Sequence, residues 1–222
     1  MSVQVSQEWS ELESESWTLN PKNPASASHY STAKAQKKEN RYYDILPYNS
    51  NYLSVHGKYF NGSRYRNYLL TQCPLPHQLV LFWDLIDAEK VEVVVCLAPE
   101  SELDTDYFSH GEVTYSDSMM MARTLKTPGS NIIMHIHVTG WVDNSSISST
   151  DLQSIVSKII TNPQDPPKIL VHCLAGVGRT GTFVATAVLR QYPYLSPVQV
   201  VRELRASRWG CVRSLSQYQM LF

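Results

Sequence analysis

Val171-His172-Cys173-Leu174-Ala175-Gly176-Val177-Gly178-Arg179-Thr180-Gly181 holds the residues of this sequence best suited to chemistry. A cysteine and an arginine with five residues between them bracket two glycines, and a hydroxyl follows the arginine. A loop that leaves a strand and enters a helix can turn successive backbone N–H groups inward, and the positive end of the helix dipole adds to them. Gly176 and Gly178 allow the φ values such a nest needs, and the planar fork of Arg179 can grip two oxygens at once. The amides of Leu174, Ala175, Gly176, Val177 and Gly178 would line a cradle for a phosphate-sized anion. The same donors favour a thiolate over a thiol, so Cys173 is expected to stand ionised and nucleophilic at its base. The rival nucleotide-type loop requires G-x-x-x-x-G-K-[S/T], which the sequence lacks.

Such a loop needs a strand before it and a helix after it. Lys168 to His172 reads as a short buried strand and Thr180 to Tyr192 as a helix. Upstream, Gln78 to Ala88 puts Leu79, Phe82, Trp83 and Ile86 on one helical face, and the β-branched run Val91 to Leu97 reads as a central strand. Further strands are expected at Glu112 to Ser116, Met119 to Lys126 and Ile132 to Val138. Asp151 to Ile160 has helical spacing behind the capping candidates Ser149 and Thr150, and Ser196-Pro197 starts another helix that reaches about Ser207. A last helix begins near Leu215. The alternation, without repeats or low-complexity tracts, indicates one α/β domain. Residues 1–36 read as an N-terminal extension packed on that domain, with a disordered tail as the alternative. In it a short helix docks Trp9, Leu12 and Trp17, and Pro21 and Pro24 break regular structure after it.

Composition narrows the function. The chain has 222 residues, 43% of them hydrophobic, with 19 basic against 20 acidic side chains. That balance gives no broad positive field to gather nucleic acid, so any anion must be held by a local device. No apolar run approaches the length of a membrane span. The N-terminus lacks the basic and apolar regions of a signal peptide. Cys73, Cys96, Cys173 and Cys211 show no zinc or disulfide spacing, which points to reduced thiols in a cytoplasmic protein. His135 and His137 share a strand face but have no third ligand spaced nearby, so they read as core histidines and no metal site is expected.

The sequence resembles the classical protein tyrosine phosphatases, and the likeness extends beyond the cradle. Asn40-Arg41-Tyr42-Tyr43-Asp44-Ile45 is similar to the family's phosphotyrosine-recognition loop, and Tyr68 to Leu75 to its Y-I-A-T-Q-G-P-L segment. His135 to Asp143 resembles the strand leading into its acid loop, and Arg205 to Tyr218 its closing R-x-x-R…Q-Y element. The matches run in family order across residues 40 to 218. The resemblance implies a twisted mixed β-sheet flanked by helices, of class α/β (α+β), in a phosphatase domain at 37–222. It also implies hydrolysis of phosphotyrosine in proteins or peptides with neither metal nor cofactor. The family finishes a helix where this chain stops, at Phe222, which leaves truncation of the domain open.

A departing phenolate needs a proton donor. Asp143, after a strand and close to Trp141, could supply it; alone, such an Asp is most often a turn residue, and the likeness to the family's W-P-D loop gives it the role. Val142 replaces the proline, which should loosen that loop without removing the acid. Tyr42 offers a wall for a phosphotyrosine ring, and the resemblance makes it the residue that sets pocket depth and Asp44 the one that holds substrate backbone. Alone, Tyr42 and Asp44 could be an ordinary aromatic and a turn cap. Thr180 matches the hydroxyl that donates to the sulfur, and Gln217 the second of two glutamines in the closing element. Arg213 aligns with the first, water-positioning glutamine and is counted with the substrate-binding residues. Leu174 stands where a serine is usual. The glutamate of the family's glutamate–lysine pair, in the loop after the central strand, is left between Glu100 and Glu102, with no lysine nearby. The departures at 142 and 213 motivate an alternative, a phosphotyrosine-binding pseudophosphatase with slow or no turnover. An RNA or phosphoinositide phosphatase is disfavoured by Tyr42 and by the absence of extra basic residues in the loop.

Overall fold

The computed structural model describes residues 3–141 and 147–222. In chain order the elements are α1 (Val3–Trp17), α2 (Ser31–Ala35), β1 (Tyr52–Val55), β2 (Lys58–Tyr65), β3 (Tyr68–Thr71), α3 (Leu79–Ala88), β4 (Val93–Cys96) and β5 (Glu112–Ser116). There follow β6 (Met120–Lys126), β7 (Ile132–Val138), α4 (Ser149–Ile159), β8 (Ile169–His172), α5 (Gly178–Gln191), α6 (Pro197–Ser207) and α7 (Leu215–Gln219). Among the described residues the strands form one mixed sheet in the order β1-β2-β3-β8-β4-β7-β6-β5. Its centre, β3-β8-β4-β7, is parallel, and antiparallel pairs extend it on both sides.

Helices cover both faces of that centre, which is why β4 and β8 are apolar runs rather than alternating ones. Alternate residues still divide between two cores. Leu70, Val95 and Val171 face the side packed by α1, α4, α5 and α6. Leu69, Val94 and Leu170 face α3. A third cluster joins Tyr30 and Ala33 of the N-terminal segment to Ile45, Tyr48, Val177 and Trp209. It connects the start of the chain to the loop between β8 and α5.

The N-terminal segment is more regular than its prolines suggest. Pro24 opens a 3-10 helix, Pro24–Tyr30, because Asn23 caps it by accepting from the Ala25 N–H at 3.0 Å and proline is tolerated in a first turn. Helix α1 starts earlier than the tryptophan spacing indicates and packs on α6 and α7, where Arg205 donates to the Leu12 carbonyl at 2.8 Å. The cap of α4 is Ser148 rather than Ser149 or Thr150, since the Ser148 side chain accepts from the Asp151 N–H. At α6, Ser196 and Gln199 form the reciprocal capping box.

Candidate active site

Strand β8 ends at His172 and α5 begins at Gly178, so the chain reverses at the carboxyl end of the parallel strands. That edge is where open α/β sheets bind ligands. Gly176 has φ of +74°, and a Cβ there would lie 2.0 Å from the Thr71 carbonyl oxygen. Only glycine fits. Its N–H donates to Cys173 Sγ at 3.3 Å, and Thr180 Oγ1 donates to the same sulfur at 3.3 Å. Val177, at the start of α5, provides no side-chain cap, so the first-turn amides face the loop with their donors uncapped by it. Arg208, at the end of α6, donates to the carbonyls of Gly176 at 2.8 Å and Ala175 at 3.0 Å, and to Asn61 Oδ1 at 2.8 Å. Its side chain is wholly buried.

Arg179 is 1% exposed and spans two elements. It donates to Glu102 Oε2 at 2.6 Å and to the Trp141 carbonyl at 2.8 Å. Glu102, not Glu100, is therefore the carboxylate on the loop arginine. Trp141, fully buried, fixes the start of the segment that follows β7. Asp143 and Val142, which the sequence singles out there, lie outside the described residues.

Behind the sulfur lies a buried polar row. His172 Nδ1 is 3.1 Å from the Cys173 carbonyl, and its Nε2 bonds the Tyr107 hydroxyl, which lies 3.1 Å from His135 Nε2. Burial holds the His172 imidazole down to about 4 and the His135 imidazole well below its ordinary value. A neutral His172 then donates from Nδ1 and accepts at Nε2. His137 faces the Ala98 carbonyl at 2.8 Å, so both strand histidines are engaged by protein groups. Burial also pushes the Cys73 and Cys211 thiols up to about 12, and the Cys96 thiol up as well, which keeps all three protonated near neutrality.

In front of the sulfur is a pocket of about 330 Å³ whose lining includes Tyr42, Asp44, Cys173, Arg179, Arg213 and Gln217. Tyr42 is 39% exposed. Its loop is fastened by Gln72, the residue after β3, which accepts from the Arg41 N–H at 2.9 Å and donates to the Glu39 carbonyl at 2.9 Å. Asp44 Oδ2 is paired with Lys22 Nζ at 2.8 Å. Gln217 Oε1 accepts from the Arg213 N–H at 2.8 Å, and the Arg213 guanidinium lies 5.1 Å from the Trp209 ring centroid. Leu174, Ala175, Val177 and Gly178 also line it, and the Leu174 carbonyl accepts from the Cys73 N–H at 2.9 Å.

The structure brings the residues of the sequence motif together around Cys173 Sγ and adds two side chains from outside it, Arg208 on the loop carbonyls and Lys22 on Asp44. Arg208 was legible as the second arginine of the R-x-x-R pair; what hid it was that its ligands are carbonyls, which have no sequence signal. Lys22 had none, since it meets Asp44 only through the fold. The described residues hold no group of three or more His, Cys, Asp or Glu side chains that could bind a metal ion.

The model of the family described as protein-tyrosine phosphatase matches residues 36–127 and 107–222. The chain is 26% identical to the mouse tyrosine-protein phosphatase non-receptor type 20 over 83% of its own length and 52% of that protein. It is 27% identical to human tyrosine-protein phosphatase non-receptor type 7 over 74% of its length and 55% of the relative. The chain spans about half the length of these curated relatives. Among solved structures, the catalytic domain of human protein tyrosine phosphatase non-receptor type 18 superposes with a TM-score of 0.83 at 25% identity, covering 98% of this chain and 93% of that one. A structure of the same relative in complex with HER2 phosphopeptides also gives 0.83, at 25% identity, with 98% and 96% covered. With nearly the whole chain from residue 36 onward matched by the family model and the fold shared from end to end, this chain belongs to the protein-tyrosine phosphatase family.

Proposed function

We propose that this chain hydrolyses phosphotyrosine in proteins or peptides through a cysteinyl-phosphate. The observation that carries the reading is the sulfur of Cys173, which accepts from the Gly176 N–H and the Thr180 hydroxyl at the floor of an anion-sized cradle. The Cys173 thiolate attacks phosphorus as the bond to the tyrosyl oxygen breaks. Loop amides and Arg179 hold the equatorial oxygens as charge develops on them. Asp143 donates a proton to the departing phenolate and in the second step takes one from the attacking water. That water opens the S–P bond, Thr180 stabilises the returning thiolate, and Gln217 orients the water.

Tyr42 supports the choice of substrate: beside a pocket with the sulfur at its base it offers an aromatic wall to a phosphotyrosine ring, and a phosphoserine side chain is too short to reach the floor. The phosphopeptide complexes of the non-receptor type 18 relative support the same class. We assign 37–222 to the phosphatase domain and 1–36 to an extension packed on it through α1. A cytoplasmic, reducing setting fits four cysteines none of which is disulfide-bonded.

The test is hydrolysis of a phosphotyrosyl peptide compared with its phosphoseryl counterpart, using wild type, Cys173→Ser and Asp143→Ala. Turnover is expected on phosphotyrosine alone and abolished in Cys173→Ser. Asp143→Ala should lower it by about 10² to 10⁴, with a smaller loss on esters whose leaving group needs no proton. Equal losses on good and poor leaving groups would remove Asp143 from the mechanism, and turnover surviving in Cys173→Ser would overturn the whole reading.

A further inference from the structure

Lys22 lies in the N-terminal segment, outside the residues that the family model matches, yet its ammonium pairs with a residue that lines the pocket, Asp44. It pairs with Asp44 Oδ2 at 2.8 Å and sits 5.5 Å from the ring centroid of Tyr43. This placement is built by the backbone. The Lys22 N–H donates to Asn20 Oδ1 at 2.9 Å, and the Asn20 carbonyl accepts from the Asn23 N–H at 2.8 Å. The buried Tyr30 hydroxyl donates to the Leu19 carbonyl, and Asn23 Nδ2 to the Trp17 carbonyl at 3.2 Å. The turn carrying Lys22 is therefore fastened on both sides, while its side chain remains 51% exposed.

We propose that Lys22 is a specificity residue that favours an acidic side chain next to the phosphotyrosine. The proposal rests on the phosphotyrosine reading above. Asp44 at the pocket mouth would by itself repel a carboxylate on the bound peptide. Lys22 neutralises that charge through one carboxylate oxygen, leaves Oδ1 for the peptide backbone, and keeps ammonium donors turned to solvent. A carboxylate beside the phosphotyrosine then meets a cation held in place rather than an isolated anion. The exposed ring of Tyr43 lies on the same side, and its face adds to the fixed position of the ammonium.

Two measurements test this. Dissociation constants of phosphotyrosyl peptides that differ only in Asp against Asn beside the phosphotyrosine are read by fluorescence anisotropy on Cys173→Ser protein, so that binding is seen without turnover. The Asp peptide is expected to bind about twofold to fivefold tighter, the scale of one exposed ion pair, and the preference should fade as salt rises. Lys22→Arg should keep the preference and Lys22→Glu should invert it. An Asp-to-Asn ratio identical in Lys22→Glu and in the parent overturns the proposal. So does equal tightening of both peptides in Lys22→Gln, which would make Lys22 a cap that masks Asp44. Wild-type hydrolysis of phenyl phosphate, which has no peptide to meet Lys22, tests the underlying reading separately. Hydrolysis there with no Asp preference sinks the role of Lys22, whereas an Asp preference without hydrolysis upholds that role and removes the catalysis.

Discussion

Arg208 Nε donates to the Gly176 carbonyl at 2.8 Å while the N–H of the same glycine donates to Cys173 Sγ at 3.3 Å. One residue of the loop is thus fixed at both of its backbone polar groups. The guanidinium on the carbonyl holds that peptide in one orientation. Among the described residues Arg208 forms no ion pair; two carbonyls and the Asn61 amide oxygen accept from Nε and Nη2, while the buried Nη1 has no hydrogen-bond partner. Burial pulls its affinity for the proton down, but a guanidinium stays charged at any ordinary pH. The cradle therefore has a cation among its supports as well as Arg179 at its rim.

Replacing Arg208 by Met should leave the Ala175 and Gly176 carbonyls buried without donors. The expected cost is about 2–4 kcal/mol of stability by urea unfolding, the scale of lost hydrogen bonds to a charged group with partners left unsatisfied. Inorganic phosphate should also lose its power to protect Cys173 from iodoacetate. Protection equal to that of wild type in a folded Arg208→Met protein would show that the loop holds its shape without this support.

The pairing of Arg179 with Glu102 at 2.6 Å makes a different prediction. The carboxylate places a negative charge against a nearly buried guanidinium. Glu102→Ala removes that charge and should destabilise the protein, because taking away one partner of a buried ion pair costs stability. Inorganic phosphate would then take over as the counter-charge. Thermal unfolding is expected to shift upward with phosphate more in Glu102→Ala than in wild type; equal shifts would mean that Glu102 does not balance Arg179.

The cradle was legible because its constraints are local: a strand, two glycines, an arginine and a helix within one short stretch. The strands β1, β2 and β3 were not read as strands. In β2 the residues Asn61, Gly62 and Ser63 are all buried, so the apolar–polar alternation that marks a strand is absent. The reasons are tertiary. Asn61 donates to Asn40 Oδ1 and to the Ile45 carbonyl while accepting from Arg208. A Cβ on Gly62 would lie 2.6 Å from Leu53 Cδ1. The choice between Glu100 and Glu102 was likewise closed only by the fold, since both stand in one 3-10 turn, Glu100–Glu102, and only the second reaches Arg179. Lys22 and Asp44 are brought together by packing of Tyr30 and Ala33 against Ile45, a contact with no periodic trace in the sequence.

Three buried histidines set the response to acid. Burial holds His172 down to about 4 in the folded protein, against 6.5 for an ordinary imidazole. Between those values the unfolded chain takes up a proton that the folded chain does not. Stability is therefore complete above about 6.5 and falls as the pH drops toward 4, by up to about 1.4 kcal/mol per pH unit for each such histidine. His135, held well below its ordinary value, and His137, lowered in the same direction, both by burial, steepen the slope. Urea midpoints should fall between neutral and mildly acidic pH. A midpoint that stayed constant across that interval would mean that these imidazoles are not kept neutral by folding.

The second chemical step depends on Gln217 and Arg213. A Cβ placed on Gly178 would meet Gln217 Nε2 at 3.1 Å, so the amide lies against the first residue of α5. Its oxygen is held by the Arg213 N–H at 2.8 Å, which fixes which end of the amide faces the cradle. The Arg213 side chain instead stacks on Trp209 at the pocket rim. Gln217 is therefore expected to orient the attacking water unaided, with Arg213 contacting substrate. Wild type should then release phenol without a burst. Gln217→Ala should slow release of phosphate from Cys173, so that a burst stoichiometric with enzyme precedes a steady rate lower by about 10-fold to 100-fold, as expected when a positioned reactant is lost. Arg213→Gln should leave the ratio of burst to steady rate unaltered and alter KM for acidic peptides. Rapid-quench measurement on both variants separates the roles: a wild-type burst that Arg213→Gln abolishes would transfer water positioning to residue 213 and mark the arginine there as the cause of slow turnover.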